Sequence, residues 1–322
     1  MGYTAGDPIL DDEYNNFVNS SSDPFGYNHF AGTGATVYGL GQSAIATVSV
    51  GDTINASHWN ALFTGLDTIA NHTNDTMTSR SAVSAGDAIE IASAVANDLA
   101  TLAASVAAGS PNATALTTSS ALQTVTTSAE GWDSTATQEV SATFANANTM
   151  RHFFNAGGKI RIQVSATAGT TNPKDQAYID LGTSLGNLDI AAQATTRSGS
   201  GETLTSNGLA NGFYDLDDSY TSLIKLTSDN SNYTANNIEL FAKLDAAHSS
   251  ATVITVKMVA TDGAADNQYT QGNNDGPSGG DGDIKDTPKM VTKIFSINPN
   301  DSQGLASTIA PASTASVSNS TT

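Results

Sequence analysis

From about residue 136 to residue 298 the chain returns again and again to one pattern, in which apolar and polar residues alternate. In KIRIQVSA, Ile160, Ile162 and Val164 alternate with Lys159, Arg161 and Gln163. TQEVSATFA sets Val140, Ala142 and Phe144 at the same spacing, and NNIELFAKLDA sets Ile238, Leu240, Ala242 and Leu244. TVITVKMVA repeats it with Ile254, Val256 and Met258, and PKMVTKIFSIN closes the series. A period of two gives each segment one apolar and one polar face, as antiparallel strands covering a shared core require. About seven or eight such strands predict a mainly β chain, with an antiparallel β-sandwich or jelly-roll-like domain over residues 136–298. A helix in DQAYIDLGTSLG is expected to interrupt it, with Tyr178, Leu181 and Leu185 on one face.

Upstream the period changes. A short helix is expected over Asp11–Val18, then a strand in AIATVSV, then a helix capped by Asn55 or Ser57. In that helix Trp59, Leu62, Leu66 and Ile69 recur at spacings of three, four and three. A second helix, from about Asp87 to Ala108, aligns Ala88, Ala92, Val95, Leu99, Leu102 and Val106 in a heptad seam, and Gly109-Ser110-Pro111 ends it. The seam faces either the preceding helix, whose periodicity matches, or copies of the chain. Its residues are therefore the candidate interface set.

Residues 1–45 read as an extended N-terminal docking arm, in which glycines alternate with Phe25, Tyr27, Phe30 and Tyr38. Glycine supplies unusual backbone angles and aromatics supply contact area with few rotors to freeze. The arm docks on another surface or packs on its own body. The rest divides into a helical stem over 46–110, a Ser/Thr-rich linker with room for one strand over 111–135, the sandwich over 136–298, and a tail over 299–322 whose composition is that of a disordered segment.

Composition narrows the function. The chain has 322 residues, no cysteine, and 31 acidic against 12 basic residues, a net charge of −19. Disulfides and thiol chemistry are excluded. Direct nucleic-acid binding is disfavoured, because phosphate contacts need Lys and Arg clusters. The opening MGYTAGDPILDDEYNNF lacks a basic and then apolar leader, and no apolar run approaches the roughly 20 residues of a membrane span. Synthesis as a soluble protein without a cleavable export signal is the expectation.

Catalytic patterns are not expected. His29, His58, His72, His152 and His248 are the only imidazole bases, and no serine sits in a nucleophile elbow; Ser200, between Gly199 and Gly201, falls in a loop. Glu139, Asp180, Asp215, Asp217, Asp218 and Glu239 are candidates for paired carboxylates, but their abundance removes specificity. In DGAADNQYTQGNNDGPSGGDGDIKD, Asp262, Asp275, Asp281, Asp283 and Asp286 offer hard oxygen ligands between glycines. No EF-hand register is present. The expectation is no required cofactor and a solvated acidic loop, with calcium at Asp275, Asp281 and Asp283 as the alternative.

In TMRHFFNAGGKIRIQVSATAG, residues Asn155, Ala156, Gly157 and Gly158 read as a hairpin turn that brings Phe153 or Phe154 to the core beside Ile160 and Ile162. This stretch resembles the FFNxGGxIR hairpin of virion structural proteins in tailed phages, especially those of cyanobacteria and other aquatic hosts. YGLGQSAIATVSVGDTINASHWNALFTGLDTI and the GFYDL of residues 212–216 are similar to the same group, in the same order. YGLGQ carries an insertion relative to the group's YGQ, and AGTG stands where WGTG is common. The resemblance implies a non-enzymatic structural subunit of the particle in a neck, tail, baseplate or fibre position, made in the host cytoplasm and resident in the virion. It implies copies of the chain and other virion proteins as partners, with neither nucleic acid nor membrane among them. A host-surface receptor-binding fibre that takes a glycan or protein, or a capsid decoration protein, is the alternative.

Overall fold

A computed structural model describes residues 11–22, 25–31, 42–73, 75–85, 87, 92–107, 116–127, 132, 134–167, 173–230, 233–264, 288–299, 312–313 and 319–321. The chain forms two compact units, one of Met1–Thr117, Asn148–Gly158 and Asn298–Ala310, the other of Thr118–Ala147, Lys159–Ile297 and Pro311–Thr322.

The first unit is helical. Helices α1 (Asp11–Asn19), α2 (Tyr27–Phe30), α3 (Ala56–Thr73) and α4 (Ala92–Ala107) pack on one another. Trp59 on α3 is the hub. Tyr14 meets its ring edge-on at 5.7 Å, and Phe17 and Phe63 lie tilted against it at 6.1 and 6.0 Å. Gly65 lets the Tyr27 ring come close to α3; a Cβ there would sit 2.6 Å from that ring.

The expected strand in AIATVSV is not one. Residues 42–49 run without regular pairing, and side-chain amides satisfy their backbone instead. Asn28 donates to the Ile45 carbonyl and accepts from the Ile45 N–H, both at 2.8 Å. The β-rich composition misled here: among the described residues no strand pairs with this segment to complete a ladder.

The FFNAGG stretch is also corrected. Ala147–Asn155 is a helix, α5, so Asn155, Gly157 and Gly158 end a helix rather than turn a hairpin. Gly157 N–H bonds to the Phe154 carbonyl at 3.0 Å and Gly158 N–H to the Phe153 carbonyl at 2.8 Å. Together with a φ of +87° at Gly157, this is a Schellman cap. Turn residues mark both structures, and only the helical periodicity of Met150, Phe153 and Phe154 tells them apart.

The second unit is mainly β, with two antiparallel sheets. One sheet runs β1 (Thr117–Thr118), β11 (Lys289–Asn298), β4 (Lys159–Thr167), β5 (Asn187–Ile190), β6 (Thr195–Arg197), with β2 (Gln123–Thr126) also on β11. The other runs β12 (Ala312–Ser313), β3 (Thr135–Thr143), β10 (Val253–Thr261), β9 (Asn237–Leu244), β8 (Thr221–Thr227), β7 (Thr203–Asn207), with β13 (Asn319–Thr321) also on β3. β1 and β2 thus fall in the stretch read as linker, and β12 and β13 in the stretch read as tail.

The alternation seen in the sequence is the burial pattern. Ile160, Ile162, Leu240, Ile254, Val256, Met258 and Ile294 are wholly enclosed, while Lys159, Arg161, Glu239 and Lys257 on the opposite faces are half-buried. The sheets are tied through Gln138 on β3, whose amide donates to the Met290 carbonyl at 2.9 Å and accepts from the Thr292 hydroxyl at 2.7 Å. Helix α6 (Pro173–Leu185) packs against β4, β8 and β9 and buries Tyr178, Leu181 and Leu185 completely. Gly182 admits the Val164 carbonyl; a Cβ would come within 2.9 Å of it.

Candidate functional site

In the first unit the segment 75–80, which follows α3 in sequence, has no regular secondary structure and is pinned by side chains on α4. Asp98 accepts from the Thr78 N–H at 3.0 Å, the Thr78 hydroxyl at 2.9 Å and Arg80 Nη2 at 2.5 Å. Ser105 donates to Asp75 Oδ1 at 2.9 Å. The Arg80 guanidinium lies 5.0 Å over the Phe63 ring, with only 5% of its side chain exposed, and Asp67 is 4.0 Å away. Asp67, Asp75, Thr76, Met77, Thr78 and Arg80 line a polar cleft of about 420 Å³. Arg80 Nε, Arg80 Nη1 and Asp75 Oδ2 are buried without a hydrogen-bond partner among the described residues.

The second unit holds a buried ionic cluster. Lys174 in the first turn of α6 pairs with Asp262 just past β10, with side-chain exposures of 2% and 3%. Tyr178 donates to the Thr261 carbonyl at 2.8 Å, and its phenol is held well above its ordinary pKa, first by burial and then by the Asp262 charge. Trp132 meets the Tyr178 ring edge-on at 5.2 Å and bonds to the Pro288 carbonyl. Asn236 Oδ1 accepts from the N–H groups of Gly263 and Ala264, both at 3.0 Å. Chemically this cluster is an anchor: it fixes the chain on both sides of residues 265–287.

The outer face of the β3–β10–β9–β8 sheet carries a cation–aromatic row. Lys257 Nζ lies 4.0 Å from the Tyr220 ring centre and 4.8 Å from that of Phe241, and Lys243 Nζ is 4.7 Å from Tyr220. Tyr220 donates to Glu139 at 2.6 Å; burial first, then that bond, raises its pKa. Opposite charges also pair across strands at Lys225 and Glu239, 3.7 Å apart.

The residues singled out in the sequence fall mostly into packing. Trp59, Leu62, Leu66, Ile69, Val95, Leu99 and Leu102 are enclosed within the chain, so the seam offers these side chains to no second copy. Of the two readings of the seam this is the first, α3 and α4 closing on each other, and not an interface between copies. The side chains of Ala92 and Val106 lie outside the described residues. Of the arm residues, Tyr27 and Phe30 are buried in the chain's own helical unit, and Phe25 stacks on His29 at 3.9 Å. The aromatics at 25, 27 and 30 are therefore spent on their own body, the second of the two readings. Tyr38, Asp275, Asp281 and Asp283 lie outside the described residues.

The acidic candidates hold local structure. Asp215 accepts from the Gly212 N–H, Asp217 from the Ser219 N–H, Asp180 from Gln176, and Glu239 from the Ser222 hydroxyl. Sequence reasoning missed Arg80, Asp75 and Asp98, because residues 75–80 have no periodicity and their meeting with α4 is set by the tertiary fold. Arg80, the only Lys or Arg in the first 150 residues, was the one available signal. Among the described residues, no group of three or more His, Cys, Asp or Glu is arranged to hold a metal ion, and no helix is long and apolar enough to cross a membrane. In comparison with known proteins, no family model, curated protein or solved structure matches the chain.

Proposed function

We propose that the chain is a structural subunit of a tailed-phage particle, a neck, tail, baseplate or fibre accessory that acts by packing against copies of itself and other virion proteins. One observation carries the reading: each of the three stretches that resemble virion proteins is a packing element. The first supplies α3 with Trp59 at its hub. The second is the capped end of α5 leading into β4. The third, GFYDL, docks by backbone bonds from Phe213 and Tyr214 to the carbonyls of Ala191 and Ala192. Gly212 allows that approach, since a Cβ would sit 2.4 Å from the Ala194 nitrogen.

On this reading the resemblance follows the residues that make the scaffold, as selection for assembly rather than turnover would leave it. Two measurements test it together. Antibodies raised against the recombinant chain should label particles in a virus-enriched fraction of its source at a fixed position, and the purified chain should associate reversibly with rising concentration. Particles without label, together with a chain that stays monomeric at every concentration, would overturn the proposal.

A further inference from the structure

We infer that the outer face of strands β4 and β11 is a docking surface for the acidic helical unit of a second copy of the chain, joined head to tail. The inference rests on the assembly reading and names the two surfaces through which copies meet.

Charge is sorted along this chain. Residues 1–117 carry eleven acidic residues and one basic residue, Arg80. Lys159 and Arg161 on β4 and Lys289 and Lys293 on β11 share one face, because they alternate with the enclosed Ile160, Ile162, Met290 and Ile294. The pairing register sets Lys293 beside Gln163 and Lys159 beside Ile297. The three lysines therefore form a row, each about 13 Å from the next at the rise of a strand. Asp189, the only acid on that face among the described residues, is taken up by Arg161 at 2.7 and 2.8 Å. Lys159, Lys289 and Lys293 have no ion pair among the described residues. Beside Lys293 the face dips into a groove of about 320 Å³, lined by Gln163 and Ser165 and by Ile179 and Thr183 of α6.

The helical unit carries the complement. Val50 is 91% exposed, the most exposed large apolar side chain among the described residues. Its turn is closed by two bonds: the Ser49 N–H donates to the Asp52 carboxylate and the Asp52 N–H to the Ser49 carbonyl, both at 3.0 Å. The Asn15–Val48 bonds set this turn beside α1. Asp11 and Asp12 precede Asn15 by four and three residues and so lie on the same face of that helix. Val50 thus projects from a surface whose nearby charges, Asp11, Asp12 and Asp52, are negative. An apolar side chain set among carboxylates matches a groove with Ile179 on its wall and lysines along its rim.

A second copy fits this face better than a nucleic acid does. A duplex brings dense phosphate charge along its whole length, and the chain's net charge of −19 repels it. A second copy presents its carboxylates at one place, and its remaining charge is screened beyond a Debye length of about 8 Å at physiological salt.

The test is sedimentation equilibrium of the full chain over a concentration series at physiological salt. The parent should form species larger than dimers, as a head-to-tail contact with open ends allows. Three sets of substitutions address the surfaces: Lys289→Glu with Lys293→Glu, Val50→Ser, and Thr183→Trp, which fills the groove from an exposed position. Each should lower the association constant by at least about tenfold, with an unchanged melting curve. Asp11→Lys with Asp12→Lys should likewise fail to associate alone. Mixed in equal amounts with the double lysine variant it should associate, because each reversed surface then meets its complement. Association that is unchanged in all three sets, or no recovery in the mixture, would overturn the inference and leave the assembly reading to other surfaces. Particle labelling checks that reading separately. A parent that stays monomeric at every concentration would also overturn the inference. So would a monomer whose lysine row captures poly-glutamate, since the partner would then be an unrelated acidic chain.

Discussion

The side-chain amide of Asn15 donates to the Val48 carbonyl and accepts from the Val48 N–H, both at 2.9 Å. Asn28 does the same to Ile45, and Asn60 to Val83, at 3.0 and 2.9 Å. Each asparagine reproduces the two bonds that a facing strand residue would make in a hydrogen-bonded antiparallel pair. Segments without regular structure are thereby fixed to helices without forming a sheet.

Asn15→Asp keeps the shape but turns the donor into an acceptor facing the Val48 carbonyl. We expect a loss of about 1–3 kcal/mol in the stability of the helical unit, from the lost bond and the acceptor–acceptor contact. Hydrogen exchange at the Val48 amide is the sharper readout. It should stay near its original rate in Asn15→Asp, where the acceptor is kept, and rise at least tenfold in Asn15→Leu.

Lys174 and Asp262 make the second testable pair. Removing one partner leaves the other charge buried, so Lys174→Met should cost about 3–5 kcal/mol in chemical denaturation. Replacing both, as Lys174→Met with Asp262→Leu, should recover most of that loss, because a well-packed apolar pair avoids the desolvation cost. A double variant no more stable than the single one would show that the pair is needed for its geometry and not merely tolerated.

The sandwich was legible because a period of two has only one structural solution, and Ile160, Ile162, Leu240 and Val256 turn inward as the alternation requires. The helices were legible at Trp59 through Ile69 and at Tyr178 through Leu185 because their apolar residues recur at the helical spacings of three and four. AIATVSV failed because alternation says that a segment is extended, not that a strand lies beside it. FFNAGG failed because glycine and asparagine end helices and turn hairpins alike. The Arg80 cleft was out of reach, since Asp75, Arg80 and Asp98 meet only after α3 and α4 have packed. β12 and β13 carry no alternation at all; their place beside β3 comes from backbone pairing that their side chains do not announce.

The cap of α5 separates two effects of adding one methyl group. At Gly157 the cost is conformational, because φ is +87°, and Gly157→Ala should lose about 1–2 kcal/mol. At Gly158 the cost is steric: a Cβ would meet the Phe153 carbonyl at 2.5 Å and its ring at 2.8 Å. Gly158→Ala should therefore be the more damaging, and Gly157→Asn the mildest, since asparagine tolerates the left-handed region. Denaturation midpoints of the three variants in that order would bear out the cap.

Asp245 gives a pH test. It holds the turn between β9 and β10, accepting from the N–H groups of Thr252 and Val253 at 2.8 and 3.0 Å and from the Thr252 hydroxyl at 2.8 Å. Burial pushes its pKa up, but these bonds outweigh that and leave it below the ordinary 3.8. A depressed carboxylate contributes stability above its unfolded value and loses it as the pH falls through the folded one. Asp245→Asn should thus be less stable than the parent at neutral pH, by about 1 kcal/mol or less given its exposure. The gap should close as the solution is acidified below 3.8. A gap that stays constant through the acid range would place the effect in packing instead.

The seam between α3 and α4 tests whether the helical unit closes within a single copy. Leu99 is buried inside the chain with Leu62, Leu66 and Leu102, so Leu99→Ala should act on the folding of a single copy. Truncation of an enclosed leucine costs about 2–5 kcal/mol, depending on how far the site collapses. Leu99→Asp should cost more, because it leaves an unpaired charge among apolar side chains. If the seam is closed within one chain, Leu99→Ala lowers the unfolding midpoint equally at low and high protein concentration. Its association constant, measured by sedimentation at a temperature where the variant stays folded, should match the parent's. A midpoint that depends on concentration in the parent and loses that dependence in Leu99→Ala would instead put the seam between copies.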